Sequence, residues 1–98
     1  MTCYNSEMRD FINDLAKRFG ATKVVMFGSR ARGDNKDNSD YDIVFFGVPE
    51  VKRAEVWYAL EWESPTLAKV DVLFWENLSG VIKDNIEKEG VVIYEAKN

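Results

Sequence analysis

Asp40 and Asp42 stand two residues apart in the run Ser39-Asp40-Tyr41-Asp42-Ile43, at the head of an apolar stretch. Side chains at i and i+2 of a strand point to the same face, so these carboxylates are expected side by side. Like charges that close repel, and one of the two would tend to take up a proton unless a cation were shared between them. Magnesium suits such a pair, because it accepts one or two carboxylates and completes its octahedron with water and substrate phosphates. A third acid, Asp71, lies inside the apolar run Lys69-Val70-Asp71-Val72-Leu73-Phe74-Trp75. A charge in such a strand is costly unless it lies at an edge or has a partner. If this strand neighbours that of Asp42, three carboxylates converge. They could then hold two magnesium ions, one on an attacking oxygen and one on a triphosphate.

Ahead of the acids, Gly28-Ser29 follows the apolar run Lys23-Val24-Val25-Met26-Phe27. Glycine lets the backbone come close to a phosphate, and Ser29 can cap a helical turn and offer its hydroxyl to a phosphate oxygen. Arg30 and Arg32 add positive charge. Residues two apart on a helical turn do not share a face, so one of them, with Arg32 favoured, is expected to reach the phosphates. Taken singly, each feature has an ordinary reading. Asp40 and Asp42 would serve a turn, Gly28-Ser29 would be a plain turn, Asp71 would guard a strand edge, and the arginines would pair with nearby acids. Their joint spacing favours the chemical reading. The intervening Asp34-Asn35-Lys36-Asp37-Asn38 reads as a solvated loop.

What the chain lacks narrows the chemistry further. It contains no histidine and one cysteine, Cys3. Ser-His-Asp and Cys-His catalysis are excluded, an intrachain disulfide is impossible, and a zinc site is not expected. The formal net charge of −4 argues against a stand-alone nucleic-acid binder, although local arginines and metal ions can reverse the field around a phosphate. No run is apolar enough for a signal peptide or a membrane span, so a cytoplasmic protein without a membrane partner is expected.

Supporting elements are legible from periodicity. Met8, Phe11, Ile12, Leu15 and Phe19 fall at helical spacing, predicting a helix over 6–19 capped by Asn5 or Ser6 and stopped by Gly20. Strands are predicted over 23–27, 41–46, 69–75 and 91–94, with a helical turn over 29–32. A second main helix opens at Pro49 and runs to about Glu63, and a third is marked by Leu78, Val81, Ile82 and Ile86 and ended by Gly90. The second helix is apolar on more than one side. Trp57, Tyr58 and Trp62 read either as core or as a surface for a partner. With 98 residues, of which 46% are hydrophobic, one domain over 1–98 is expected. The fold class is α+β: a two-layer α/β arrangement with a mixed four-stranded sheet and helices mainly on one face.

Gly28-Ser29-Arg30-Ala31-Arg32-Gly33, ten residues between Ser29 and Asp40, then Asp40-Tyr41-Asp42 and the later Asp71, together resemble the signature of the minimal nucleotidyltransferases in the polymerase-beta-like superfamily. The resemblance spans nearly the whole chain. It implies a nucleotidyltransferase fold and metal-dependent attack of a hydroxyl on the α-phosphate of a nucleoside triphosphate, with pyrophosphate leaving. It also implies that Asp40, Asp42 and Asp71 are catalytic metal ligands, with Asp71 helping to activate the acceptor, and that Gly28, Ser29, Arg30 and Arg32 hold the nucleotide. Family members often stand beside a HEPN-fold partner, frequently an RNase toxin. Some act as antitoxins that attach AMP to a partner tyrosine. The reading is therefore an ATP-using, magnesium-dependent antitoxin in a hetero-oligomer with a HEPN protein. The alternatives are a non-catalytic antitoxin that occludes its partner, and transfer onto a small molecule or an RNA end.

Overall fold

The computed structural model describes residues 6–28, 41–63 and 70–96. Helix α1 spans Ser6–Phe19 and leads into strand β1, Lys23–Phe27. Strand β2 covers Tyr41–Phe46, and a short 3-10 turn over Glu50–Lys52 precedes helix α2, Arg53–Glu63. Strand β3 is Val70–Phe74, followed by a second 3-10 turn over Trp75–Asn77, helix α3 over Gly80–Glu89 and strand β4 over Val91–Glu95.

The strands form one sheet in the order β3-β2-β1-β4. β1 is antiparallel to both β2 and β4, whereas β2 and β3 run parallel, so the sheet is mixed. A parallel pair needs a crossover, and α2 supplies it.

Alternation along the strands divides the apolar residues between two faces. Val24 and Met26 of β1, Ile43 and Phe45 of β2, and Val72 and Phe74 of β3 meet the buried sides of α1 and α2. Met8, Ile12 and Leu15 of α1 and Val56 of α2 are fully buried there. Each large side chain so enclosed contributes about 1.5–3 kcal/mol relative to exposure. The opposite face has a smaller cluster in which Ile86 of α3 packs on Val25 and Val44. Helices thus lie mainly on one face, with α3 as a partial layer on the other.

Two expectations need correction. The second main helix does not open at Pro49: that residue is extended, with φ −58° and ψ 142°, and a 3-10 turn intervenes before α2. The third helix begins at Gly80, so Leu78 precedes it and closes the 3-10 turn, while Val81, Ile82 and Ile86 lie within it.

Candidate active site

Three rows of side chains cross the sheet on the α3 face. The first is Phe27, Asp42 and Asp71, since Phe27 pairs with Asp42 and Asp42 with Asp71. The second is Val25, Val44 and Leu73. The third is Lys23, Phe46 and Trp75, where Phe46 and Trp75 stack with ring centroids 4.6 Å apart. α3 covers the second row through Ile86.

The placement of Asp42 and Asp71 follows from register alone. They are direct partners on adjacent parallel strands, so both side chains leave the same face, with backbones about 5 Å apart. Val70 and Val72, on either side of Asp71, turn to the α1–α2 core, as alternation requires. Only oxygen donors are offered here, and two carboxylates held side by side suit a hard divalent cation. Among the described residues no group of three or more potential metal ligands occurs. Asp40 lies outside the described residues, as do Ser29, Arg30 and Arg32.

Gly28 ends β1 immediately beside the acids, with φ +79°. A Cβ at this position would run into Oδ2 of Asp42, with Cγ only 3.2 Å away. The absence of a side chain thus does two things. It permits the left-handed turn out of the strand, and it leaves room for the Asp42 carboxylate against the backbone. The sequence suggested glycine for phosphate approach; its tight fit with Asp42 shows only in three dimensions.

The third row is flanked by two cations. Lys23 Nζ lies 4.5 Å from the Phe46 ring centroid, and Lys83 Nζ lies 4.9 Å from that of Trp75. A Lys–Phe–Trp–Lys stack therefore ties β1, β2 and the turn after β3 to α3, each cation attracted by the electron-rich ring face. Trp75 stands in this stack between Phe46 and Lys83. Nearby, Arg53 donates to Asn77 Oδ1 at 3.1 Å, its guanidinium lies 3.6 Å from Glu76 Oε1, and Glu76 Oε2 accepts from the Gly47 amide at 3.1 Å. These contacts bind the turns after β2 and β3 to the start of α2. Phe27 is the participant that sequence reading missed. The alternation in Lys23-Val24-Val25-Met26-Phe27 carries the signal, but only pairing with β2 places the ring beside Asp42.

On the far face, Trp57, Tyr58 and Trp62 of α2 are 53%, 66% and 70% exposed, so the core reading of these residues does not hold. Val56, Ala59 and Leu60 do the packing instead.

Comparison with known proteins agrees with this fold. The family model for polymerase beta nucleotidyltransferases matches residues 10–98. The chain belongs to that family. The nucleotidyltransferase is 32% identical over 87 residues to MJ0435 of Methanocaldococcus jannaschii, a proposed protein adenylyltransferase, covering 88% of this chain and 94% of that one. A solved structure of a proposed minimal nucleotidyltransferase superposes with a TM-score of 0.67 at 28% identity, covering 85% of this chain and 86% of the other. A structure of a tri-AMPylated Shewanella oneidensis HEPN toxin in complex with an MNT antitoxin contains a chain of the same fold. Its TM-score is 0.61 at 18% identity, with 90% of this chain and 70% of that chain covered. Among the described residues of this nucleotidyltransferase, no helix is long and apolar enough to cross a membrane.

Proposed function

We propose that this nucleotidyltransferase is a magnesium-dependent protein adenylyltransferase acting as an antitoxin. It would transfer AMP from ATP to a hydroxyl, a tyrosine hydroxyl in this reading, of a HEPN-type toxin bound to it in a hetero-oligomer. The observation that carries the proposal is the in-register pairing of Asp42 with Asp71 beside Gly28. The names of MJ0435 and of the Shewanella complex support the choice of nucleotide and partner.

Asp42 and Asp71, joined by Asp40, would hold the magnesium, which when bound offsets charge on the triphosphate and polarises the reacting oxygens. In the transfer, the acceptor oxygen forms a bond to the α-phosphorus. The bond from that phosphorus to the bridging oxygen breaks, and pyrophosphate leaves with the electron pair. The acceptor's proton passes to solvent. Gly28, with Ser29 and one of Arg30 and Arg32, would seat the departing phosphates at the β1 end of the first row. The sheet holds the acids in place before substrate arrives, so little reorganisation is needed at the moment of reaction.

Intact mass of the HEPN-type partner after incubation with ATP and magnesium should show added AMP. No addition with any nucleoside triphosphate sinks the proposal. Magnesium with a non-hydrolysable ATP analogue should raise the melting temperature of the parent protein, and that rise should vanish in Asp71→Asn.

The exposed Trp57, Tyr58 and Trp62 favour a second reading, in which the chain neutralises its partner by covering it. A double Asp40→Asn/Asp42→Asn variant that still neutralises fully supports occlusion. A variant that binds the partner but leaves it toxic supports transfer.

A further inference from the structure

We propose that Ile82 is the residue against which the acceptor rests, so that it helps decide which hydroxyl is modified. This rests on reading the Phe27–Asp42–Asp71 row as the transfer site.

The position of Ile82 follows from the way α3 lies on the sheet. Lys83 reaches the Trp75 ring at the β3 side, and Ile86 sits on Val25 and Val44 in the middle. At the end of the helix, a Cβ on Gly90 would meet Val25 Cγ1 of β1. The helix therefore runs across the strands, from β3 towards β1 and β4. One of its flanks borders a cavity of about 190 Å³, where Glu87 and Gly90 meet Lys23, Phe46 and Trp75 of the third row beside Val25 of the second. With Lys83, these residues show that this flank looks towards the third row.

Helical spacing assigns the other flank. With 3.6 residues per turn, Lys83, Glu87 and Gly90 fall on one side of Ile86, and Ile82 and Glu89 fall about 40–60° to the other side. That second flank looks along the strands towards Phe27, Asp42 and Asp71. Ile82 precedes Lys83, so it belongs to the β3 end of the helix. Glu89 belongs to the β1 end. Ile82 is 43% exposed, an aliphatic side chain on the flank that faces the acid row.

Stereochemistry then selects what meets it. Phosphoryl transfer proceeds with the attacking and leaving oxygens roughly in line. If pyrophosphate departs over Gly28 at the β1 end, the attacking oxygen enters from the β3 end, past Ile82. An aliphatic wall there packs against an apolar carrier of the hydroxyl and gives no hydrogen bond to a sugar. The acceptor class is thus a hydroxyl borne by an apolar side chain on a protein segment. Val81, its neighbour, is 75% exposed on the outer side of the helix and serves as the control.

Three measurements test the assignment. With the HEPN-type partner as acceptor, Ile82→Lys should raise the acceptor KM about tenfold or more while changing kcat less. Calorimetric affinity for magnesium with α,β-methylene ATP should stay within about twofold, and Val81→Lys should change neither quantity. In methyl-labelled protein, Mn2+ should broaden the Ile82 methyl signals and leave those of Val51 sharp. Unchanged acceptor KM in Ile82→Lys overturns the inference. So does a loss of nucleotide affinity, which would put the nucleoside on this flank. If the parent transfers nothing to the partner, the proposed function fails on its own. The Mn2+ experiment still decides the placement of Ile82, and sharp Ile82 signals refute it.

Discussion

The two faces of the sheet are made by the same strands, one residue out of step, and their fates diverge. In β2, Ile43 and Phe45 enter a core closed by α1 and α2, while Asp42, Val44 and Phe46 face α3. In β3, Val72 and Phe74 are buried among apolar neighbours, while Asp71 lies beside Asp42. One face is sealed with aliphatic and aromatic side chains. The other is covered at its middle by Ile86, clamped at one end by the Lys–Phe–Trp–Lys stack, and carries the acids at its other end. A domain of this size has few layers with which to build a cleft. It separates stability from chemistry by the pleat of a strand, within a distance of about 3.3 Å along the chain.

That division can be broken from either side. Phe45→Ala should cost about 3–5 kcal/mol of stability, because Phe45 is fully buried and lies against Phe74 with ring centroids 6.3 Å apart. Urea unfolding measures the loss, and transfer per folded molecule should stay near that of the parent. Asp42→Asn should do the reverse, lowering transfer by on the order of 10²–10³-fold while leaving a cooperative melt. A large loss of stability in Asp42→Asn would erase the contrast between the faces. Gly28→Ala sits at the boundary and should cost both properties. The left-handed φ alone costs about 1–2 kcal/mol, and the added methyl displaces the Asp42 carboxylate, so transfer should fall as well. Trp57→Ser and Trp62→Ser should change stability by no more than about 0.5 kcal/mol, since neither side chain belongs to the core. Calorimetric titration with the HEPN-type partner should show weakened association if the exposed side of α2 is a docking face.

The sequence displayed these elements unevenly. α1 was legible because Met8, Ile12 and Leu15 recur at helical spacing on one side, and burial follows that stripe. The strands were legible because their apolar runs are short and bounded by turn residues. Helix α2 was not, beyond its existence. Its apolar residues go round the axis, and local pattern cannot say that Val56, Ala59 and Leu60 face the sheet while Trp57, Tyr58 and Trp62 face outward. Helix α3 shows the same limit: Val81, Ile82 and Ile86 share it, but only Ile86 is buried on the sheet. For the candidate site, residue types and spacing named Asp42, Asp71 and Gly28. Their convergence depends on a parallel pairing between strands separated by a whole helix, and no local signal encodes that register. Asp40, Ser29, Arg30 and Arg32 stand as sequence expectations, since they lie outside the described residues.

Asp71 is carried by β3, the outermost strand of the described sheet on its side, hydrogen-bonded there to β2. Edge elements open at lower free energy than the centre of a fold, so fraying here would pull one acid out of alignment while α1, β1 and β2 stay assembled. Warming should then silence the enzyme some degrees before it denatures, and whatever steadies that margin would set its working range.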